Sequence, residues 1–206
     1  MNQEVKNSPT VFVVDDDEAM RESLTWLIES VGLKVETFAS ADEFLKSYYP
    51  GRAGCVLLDV RMPGMSGLEL QGYLQKQQVN VPVIMITGHG DVTMAVRAMK
   101  VGAIDFIEKP FNDEQLLESI RNALLIDNER RDNQSFKAEI AQRLSQLTPR
   151  ESEVMEMVTD GKSNKEIANL LNVSAKTVEA HRAKVMEKME AGSLAELVRL
   201  VVSAHN

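Results

Sequence analysis

Polar side chains that could take part in catalysis or in ligand binding stand at or just beyond the ends of four short apolar runs in the first half of the chain. They are Asp15, Asp16 and Asp17 after 10–14, Asp59 after 55–58, Thr87 after 82–86 and Lys109 after 104–107. Converging carboxylates repel one another unless a cation neutralises them, and hard oxygen ligands suit Mg²⁺. An aspartate held against Mg²⁺ is a nucleophile for phosphorus, while an ammonium and a hydroxyl group bind the added phosphoryl oxygens. The pattern therefore predicts acyl-phosphate chemistry.

Each of these residues also has an ordinary structural explanation. An aspartate after a strand is often a turn former or a helix cap, and we interpret Asp17, which precedes a helical pattern, as an N-cap. Capping does not explain why Asp16, Asp59, Thr87 and Lys109 all follow separate strands. These four are therefore the candidate site residues.

Residues 15–17 also form the Asp-x-Asp pattern of haloacid-dehalogenase-type phosphatases. The next two residues, Glu18 and Ala19, depart from the pattern that supports turnover in those enzymes. We therefore expect that the protein is not an enzyme. A phosphatase, which is the alternative, would hydrolyse a phosphate ester repeatedly.

The elements that position these residues follow from periodicity. Five apolar runs, at 10–14, 35–38, 55–58, 82–86 and 104–107, alternate with apolar residues at helical spacing. Residues 8–125 therefore predict a doubly wound α/β domain with a five-stranded parallel sheet, its strands buried on both faces. Ligands bind at the carboxyl ends of such strands. A capping box is predicted at Ser40 and Glu43.

Residues 147–206 predict an all-α domain of four helices. Capping boxes are predicted at Thr148–Glu151, Ser163–Glu166 and Ser193–Glu196, and helix stops at Gly161 and Gly192. Between the domains, residues 126–146 predict a helical linker whose apolar residues, from Phe136 to Leu147, could self-pair. A flexible tether is the alternative.

Residues 164–171, a three-residue turn and residues 175–189 have helix-turn-helix proportions. In the second helix, Glu179 could accept a hydrogen bond from cytosine, and Ala180 and Ala183 could touch thymine methyl groups. The expected phosphate contacts are Lys165, Lys176, Thr177, Arg182 and Lys184, with Ser174 as the N-cap in the same DNA-binding set. A solvated helix face is the alternative explanation.

Composition limits the class of protein to which the chain can belong and the compartment in which it is expected. The 206 residues carry a net charge of −8, which argues against a uniformly basic nucleic-acid binder, but 162–184 hold five basic and two acidic residues. Cys55 is the single cysteine, so no internal disulfide is expected. We find no apolar run of membrane-spanning length and no signal-peptide pattern in residues 1–10, and expect a cytoplasmic protein without a membrane partner.

Four motifs in the first half, in order, resemble the receiver domain of two-component response regulators. They are VDDD at 14–17, LDVRMPGMSG at 58–67, ITGHGD at 86–91 and DFIEKPF at 105–111. The resemblance implies a flavodoxin-like receiver fold and a phosphoryl group accepted on Asp59 from a sensor histidine kinase. It also implies that Asp16, Asp59 and the carbonyl of Arg61 hold Mg²⁺ with Asp15 in support. Gly64 departs from the acidic residue or Asn that is frequent there, which puts the phosphoryl lifetime in doubt.

The same resemblance implies that Thr87 and Lys109 contact the phosphoryl group and that the Lys109–Pro110 bond is cis. Phe106 fits the aromatic switch position, although an ordinary core phenylalanine gives the same signal. We expect phosphorylation to bias a surface formed by the fourth helix and fifth strand, with Val96, Lys100 and Asp105 as the contacts of a homodimer. An apolar face that is simply buried is the alternative.

In the second half, LTPRESEV at 147–154, GKSNKEIA at 161–168 and VSAKTVEAHR at 173–182 resemble the LuxR-type DNA-binding domain. A receiver joined to this domain is typical of the NarL/FixJ family, and the details are closest to its FixJ-like branch. The resemblance implies promoter DNA as a partner and activation through RNA polymerase. His181 has no spacing typical of a metal ligand, and we interpret it as structural or phosphate-contacting.

Overall fold

The computed structural model describes residues 8–88 and 92–205, with the side chain of the last excepted. His89, Gly90 and Asp91 of the 86–91 motif, and residues 1–7 of the N-terminal stretch, lie outside the described residues. The chain divides into two compact units, one ending at Arg130 and the next beginning at Arg131.

The first unit is built on a parallel sheet that has five strands within the described residues, in the order β2-β1-β3-β4-β5. The strands are β1 (Thr10–Val14), β2 (Lys34–Phe38), β3 (Gly54–Asp59), β4 (Val83–Thr87) and β5 (Asp105–Glu108). This confirms the predicted α/β doubly wound five-stranded parallel sheet. Because all the strands are parallel, their carboxyl ends meet at one edge.

Helices cover both faces of this sheet. They are α1 (Glu18–Ser30), α2 (Ala41–Ser47), α3 (Gly67–Lys76), α4 (Val92–Lys100) and α5 (Asp113–Ser145). One core packs α2, α3 and α4 around residues such as Phe12 and Leu58, and the other packs α1 and α5 around Val13 and Leu57. Alternating strand residues therefore belong to opposite cores, as the period of two in a strand requires.

The expectation that all five strands are buried on both faces is wrong for the outer two. The inner strands β1, β3 and β4 are buried along their whole length, whereas Lys34, Glu36 and Thr37 of β2 are exposed, and in β5 only Ile107 is buried. The strand order explains the difference, because β2 and β5 are the edges of the sheet and each has a single neighbour.

The second unit contains four described helices besides the end of α5, which confirms the predicted all-α domain. They are α6 (Pro149–Thr159), α7 (Asn164–Leu171), α8 (Ala175–Lys188) and α9 (Leu194–His205). Their core includes Ile140 of α5, with Leu144 and Leu147 packed against it. Residues 126–145 of the predicted linker are helical throughout and continue α5, and the face predicted to self-pair is partly covered by this core.

Local signals set most helix ends. Reciprocal capping boxes form at Thr148–Glu151 and Ser163–Glu166. At Ser40 the box is altered, because the Glu43 carboxylate accepts from the N–H of Ala39. The predicted stop at Gly161 is correct, with φ of 84° just after α6.

The predicted stop at Gly192 is wrong. Helix α8 ends at Lys188, and the left-handed residue that follows is Glu190, with φ of 52°. Gly192 instead donates its N–H to Glu196 Oε2 at 2.8 Å, at the start of α9. None of the described helices is both long and apolar enough to span a membrane.

Candidate functional site

The carboxyl edge of the sheet brings together Asp15, Asp59, Thr87 and Lys109. Asp15 follows β1, Asp59 ends β3, Thr87 ends β4 and Lys109 follows β5. The backbone continues the sheet pattern here, since the Lys109 N–H donates to the Thr87 carbonyl at 2.7 Å. These four residues stand at the carboxyl ends of four strands, and the parallel sheet places those ends along one edge.

Lys109 lies between two buried carboxylates. Its Nζ donates to Asp15 Oδ2 at 2.7 Å and to Asp59 Oδ1 at 2.8 Å. The second oxygen of each carboxylate is bound by backbone: Asp15 Oδ1 accepts from the Asp17 N–H at 2.9 Å, and Asp59 Oδ2 from the Arg61 N–H at 2.6 Å. Asp15 is 3% exposed and Asp59 is 7% exposed. Such charge-assisted hydrogen bonds are the strong ones.

The electrostatics of the pair follow from this burial. Desolvation has the largest effect on Asp59 and raises its pKa; Lys109 and the Arg61 N–H oppose it, Asp15 adds to it, and the pKa stays above its ordinary value. For Lys109, burial lowers the pKa, but the hydrogen bonds and charges of Asp15 and Asp59 outweigh it and raise the pKa overall. The lysine is therefore charged at neutral pH, and its charge holds the two carboxylates together.

The other predicted members of this site differ in exposure. Asp16 and Arg61 are exposed, Thr87 is buried, and Phe106 is half-buried against the core that also contains Ala98 of α4. The Lys109–Pro110 bond is cis, as the resemblance implied.

Asp17 caps a helix, which confirms its structural interpretation. It is the N-cap of α1, and its Oδ1 accepts from the N–H groups of Ala19 at 2.9 Å and Met20 at 3.4 Å. The Asp-x-Asp pattern thus contains a helix cap as its second aspartate.

The donor set suits a divalent cation in the type of its atoms. Asp15, Asp16 and Asp59 supply carboxylates, and two cations lie beside them: Lys109 binds Asp15 and Asp59, and the Arg21 guanidinium donates to the Asp15 carbonyl at 2.8 Å. Carboxylate and carbonyl oxygens are the ligands that Mg²⁺ prefers. Within residues 8–88 and 92–205, no three His, Cys, Asp or Glu side chains are grouped closely enough to hold a metal ion, and Lys109 Nζ lies between Asp15 and Asp59.

The predicted dimer residues lie on or near α4. Val96 and Lys100 are exposed on this helix. The half-buried Asp105 is bound within the fold, because its carboxylate accepts from Ser119 Oγ of α5 and from the Phe106 N–H.

Sequence reasoning missed two further members of this helix face. Val92 is 81% exposed and Met99 is 48% exposed, beside Val96 at 46%. Their spacing of four and three residues was the available signal, since residues so spaced share one helix face. Together, Val92, Val96 and Met99 form an exposed apolar strip.

The helix-turn-helix has its predicted proportions, with α7, the turn 172–174 and α8. Asn172 ends α7 in the left-handed conformation, with φ of 52°. Ser174 is the N-cap of α8, accepting from the Thr177 N–H at 3.1 Å. Val178, Val185 and Met189 of this segment are buried, as predicted.

The opposite face of α8 is open to solvent. The exposed residues of this helix include the predicted Lys176, Thr177, Glu179, Ala180, Ala183 and Lys184 together with Glu187, and Lys165 of α7 and Ser174 are exposed as well. Arg182 is half-buried and donates to Asn164 Oδ1 at 2.6 Å, and Lys184 donates to Glu187 Oε2 at 2.8 Å. His181 is half-buried. Sequence reasoning missed the hydrogen bond between Arg182 and Asn164, because this bond joins residues of two different helices.

Comparison with known proteins supports the domain type predicted for each of the two units. The model of the response regulator receiver domain matches residues 11–121, and that of the bacterial regulatory proteins of the luxR family matches residues 145–201. Nodulation protein W of Bradyrhizobium diazoefficiens is 47% identical over 96% of this chain and 87% of its own length. Transcriptional regulatory protein FixJ of the same organism is 47% identical over 94% of this chain and 95% of its own.

Solved structures give the same result. The response regulator StyR is similar with a TM-score of 0.88 and 46% identity, over 95% of this chain and 98% of that one. Full-length FixJ from B. japonicum is similar with a TM-score of 0.58 and 44% identity, over 97% of this chain and 98% of that one. The chain therefore belongs to the NarL/FixJ family of two-component response regulators, which join a receiver domain to a LuxR-type DNA-binding domain.

Proposed function

We propose that Asp59 is the residue that accepts the phosphoryl group from a sensor histidine kinase, and that its modification switches DNA binding by the second unit. The observation that carries the proposal is the pair of contacts on this carboxylate. Lys109 Nζ lies 2.8 Å from Oδ1, and the Arg61 N–H lies 2.6 Å from Oδ2. A carboxylate fixed by both oxygens at the end of a strand is oriented for attack.

The chemistry follows from that orientation. An Asp59 oxygen bonds to phosphorus as the phosphorus–nitrogen bond of the kinase phosphohistidine breaks, and the imidazole nitrogen keeps the bonding pair. Lys109 can then pair with the phosphoryl oxygens while it remains bound to Asp15. Thr87, at the end of the adjacent strand, supplies a hydroxyl donor.

Magnesium belongs to the same proposal. Asp16, Asp59 and the carbonyl of Arg61 would hold Mg²⁺, with Asp15 in support, and the ion would neutralise phosphoryl charge. The buried Asp15 and Asp59 carboxylates and the exposed Asp16 carboxylate, all oxygen ligands, support that assignment.

The conformational switch is proposed to run from Thr87 through Phe106 to α4. A hydroxyl drawn toward the phosphoryl group leaves space near β5, and the half-buried Phe106 packs in the same core as Ala98 of α4. A small shift at the site can therefore bias a two-state surface.

Homodimerisation is proposed on the strip of Val92, Val96 and Met99. An apolar strip with these exposures favours contact with another apolar surface. Lys100 extends it with a charge, whereas Asp105 would have to compete with its bonds to Ser119 and Phe106.

Promoter DNA is the proposed ligand of the exposed face of α8, and activation through RNA polymerase the proposed result. Glu179, Ala180 and Ala183 are exposed for base contacts, and Lys176 and Lys165 for phosphates. A receiver dimer would place two such helices on a dyad site and raise affinity through effective concentration.

The test is modification by acetyl phosphate with Mg²⁺, followed by intact mass and peptide mapping. We expect one phosphoryl group, on Asp59, together with a larger species in solution and tighter operator binding. Asp59→Asn should abolish all three changes. Asp17→Asn is the matched control, because Asn is an equally good N-cap and should leave phosphorylation intact.

Two results would contradict the proposal: a phosphoryl group on another residue, or Asp59→Asn that binds DNA as tightly as the phosphorylated wild type. We also propose that the protein is not a turnover enzyme, supported by the capping role of Asp17. Repeated hydrolysis of p-nitrophenyl phosphate, beyond one equivalent, would show that this is wrong.

A further inference from the structure

Within the second unit, an arginine near the end of α5 binds the residues that directly follow α8. Arg143 Nη1 donates to the Met189 carbonyl at 3.0 Å, and Arg143 Nη2 lies 2.8 Å from Glu190 Oε2. The same Nη2 donates to Glu139 Oε1, one turn earlier in α5, at 2.7 Å, which fixes the direction of the guanidinium group. Arg143 therefore connects the end of the predicted linker with the end of the helix proposed to read DNA.

The position of the Met189 carbonyl explains why a cation binds there. Met189 ends α8, and Glu190 then turns the chain in the left-handed conformation, with φ of 52°. The last carbonyl groups of a helix lack partners within the helix and carry the negative end of its dipole. The Arg143 side chain is only 19% exposed, so water screens this charge-assisted bond less than it would on an open surface.

Two further features attach the end of α5 to the end of α8. Lys188 Nζ, in the last turn of α8, donates to the Gln146 carbonyl, just after α5, at 3.1 Å. Ile140 of α5 belongs to the same apolar core as Val185 and Met189. The last turns of α5 are therefore part of the framework that supports α8.

Polar contacts hold α8 at two points along its length. In its second half, Arg182 binds Asn164 of α7 at 2.6 Å, and at its end Arg143 binds the Met189 carbonyl. Glu179, the proposed base contact, precedes Met189 by ten residues, or about 15 Å along the helix axis. A helix attached at one point can tilt about it, whereas a second attachment fixes its direction. Contacts with base edges depend on that direction.

We propose that Arg143 is a positioning residue for DNA readout, which holds the end of α8 so that Glu179 and Ala180 meet base edges in one fixed orientation. The inference rests on the proposed DNA-binding function of α8. Arg143 contacts no DNA and acts through Met189 and Glu190. It lies in the predicted linker 126–146, so the DNA-reading unit begins before residue 147.

The experiment compares the binding of two DNA duplexes by the full-length protein treated with acetyl phosphate and Mg²⁺. One duplex is selected from a random-sequence library by the wild-type protein, and the other is a scrambled version of the same length and composition. The specificity ratio is the Kd for the scrambled duplex divided by the Kd for the selected one. Tilting of α8 weakens base contacts but spares phosphate contacts, which carry no sequence information. Loss of folded protein weakens both duplexes equally and leaves the ratio unchanged.

Three variants separate positioning from stability. Arg143→Met keeps the apolar part of the side chain and removes its donors, and it should lower the specificity ratio about threefold to tenfold, part of the discrimination that one base contact provides. The salt dependence of binding to the scrambled duplex should stay unchanged. Arg143→Lys keeps the charge without the planar set of donors and should give an intermediate ratio. Lys137→Met, at an exposed lysine of α5 in the same unit, is the matched control and should keep the wild-type ratio.

A wild-type ratio for Arg143→Met would overturn the positioning role alone, as would an equal fall for Lys137→Met. If Arg143→Met does not fold, Arg143→Lys decides the question, and a wild-type ratio for that variant overturns the proposal. A wild-type protein that selects no duplex from the library would instead overturn the proposed DNA binding, and this inference with it.

Discussion

Replacement of Lys109 by Met tests the central ion pair, because it keeps the length of the side chain and removes the charge. Two buried carboxylates, Asp15 and Asp59, then lose their shared cation. Removal of one partner from a buried pair usually costs about 3–5 kcal/mol. The variant can limit this cost by protonating one carboxyl group.

That limit can be worked out from the ordinary carboxyl pKa. For an aspartate whose unfolded pKa is 3.8, protonation at pH 7 costs about 4 kcal/mol, and the cost falls by about 1.4 kcal/mol for each unit of pH. We therefore expect Lys109→Met to lose about 3–4 kcal/mol at pH 7 but about 1–2 kcal/mol at pH 5. The loss of stability is smaller at pH 5 because a carboxyl group with a raised pKa in the folded state destabilises the protein above that pKa. This destabilisation disappears as the pH falls.

The assay is urea unfolding followed through the amide resonances of β1 and β3. These strands are buried along their whole length in the first unit, so their signals report its unfolding. Lys100→Met, at an exposed lysine of α4, is the matched control and should stay within about 0.5 kcal/mol of wild type. A loss for Lys109→Met below that margin at pH 7, or a loss that grows toward pH 5, would refute the reasoning.

Two further predictions concern the second unit. Lys188 and the backbone of the capping box lower the pKa of Glu151 to about 2, so its stabilising effect is present above pH 4.5 and lost as pH falls toward 2. Glu151→Gln should therefore speed hydrogen exchange in α6 and α8 at pH 6, and the exchange rates of the variant and the wild type should converge near pH 2. An effect that does not depend on pH would contradict this prediction, as would an equal effect of the control Glu156→Gln at an exposed position. In operator titrations, Glu179→Ala should relax preference at one base pair by about 1–3 kcal/mol, whereas Lys176→Ala should weaken all sequences similarly and lower the salt dependence by about one charge; the reverse pattern would show that their assigned roles are wrong.

Much of the fold could be predicted from the sequence, because helix caps and apolar periodicity depend on residues that are close together in the chain. Asp17 is an N-cap because its carboxylate reaches the N–H groups of the next few residues, and the same short range governs the boxes at Thr148 and Ser163. Apolar periodicity located the strands and the helix-turn-helix, since the spacing of buried residues follows directly from helix and strand geometry.

Part of the candidate site was also readable. The chain order of strand and helix predicts a parallel sheet, and a parallel sheet places every strand's carboxyl end at one edge. Asp16, Asp59, Thr87 and Lys109 could therefore be grouped without knowledge of which strands are neighbours, but only the structure showed that Asp15, and not Asp16, is the residue after β1 that binds Lys109.

The tertiary structure alone decided the contacts between distant segments. Strand order made β2 and β5 the exposed edges, and it placed Lys109 Nζ between two carboxylates that lie 94 and 50 residues earlier in the chain. The bond of Gln71 to Ala98 has the same origin. The physical reason is that periodicity and capping act over a few residues, whereas these partners meet only when separate elements pack against one another.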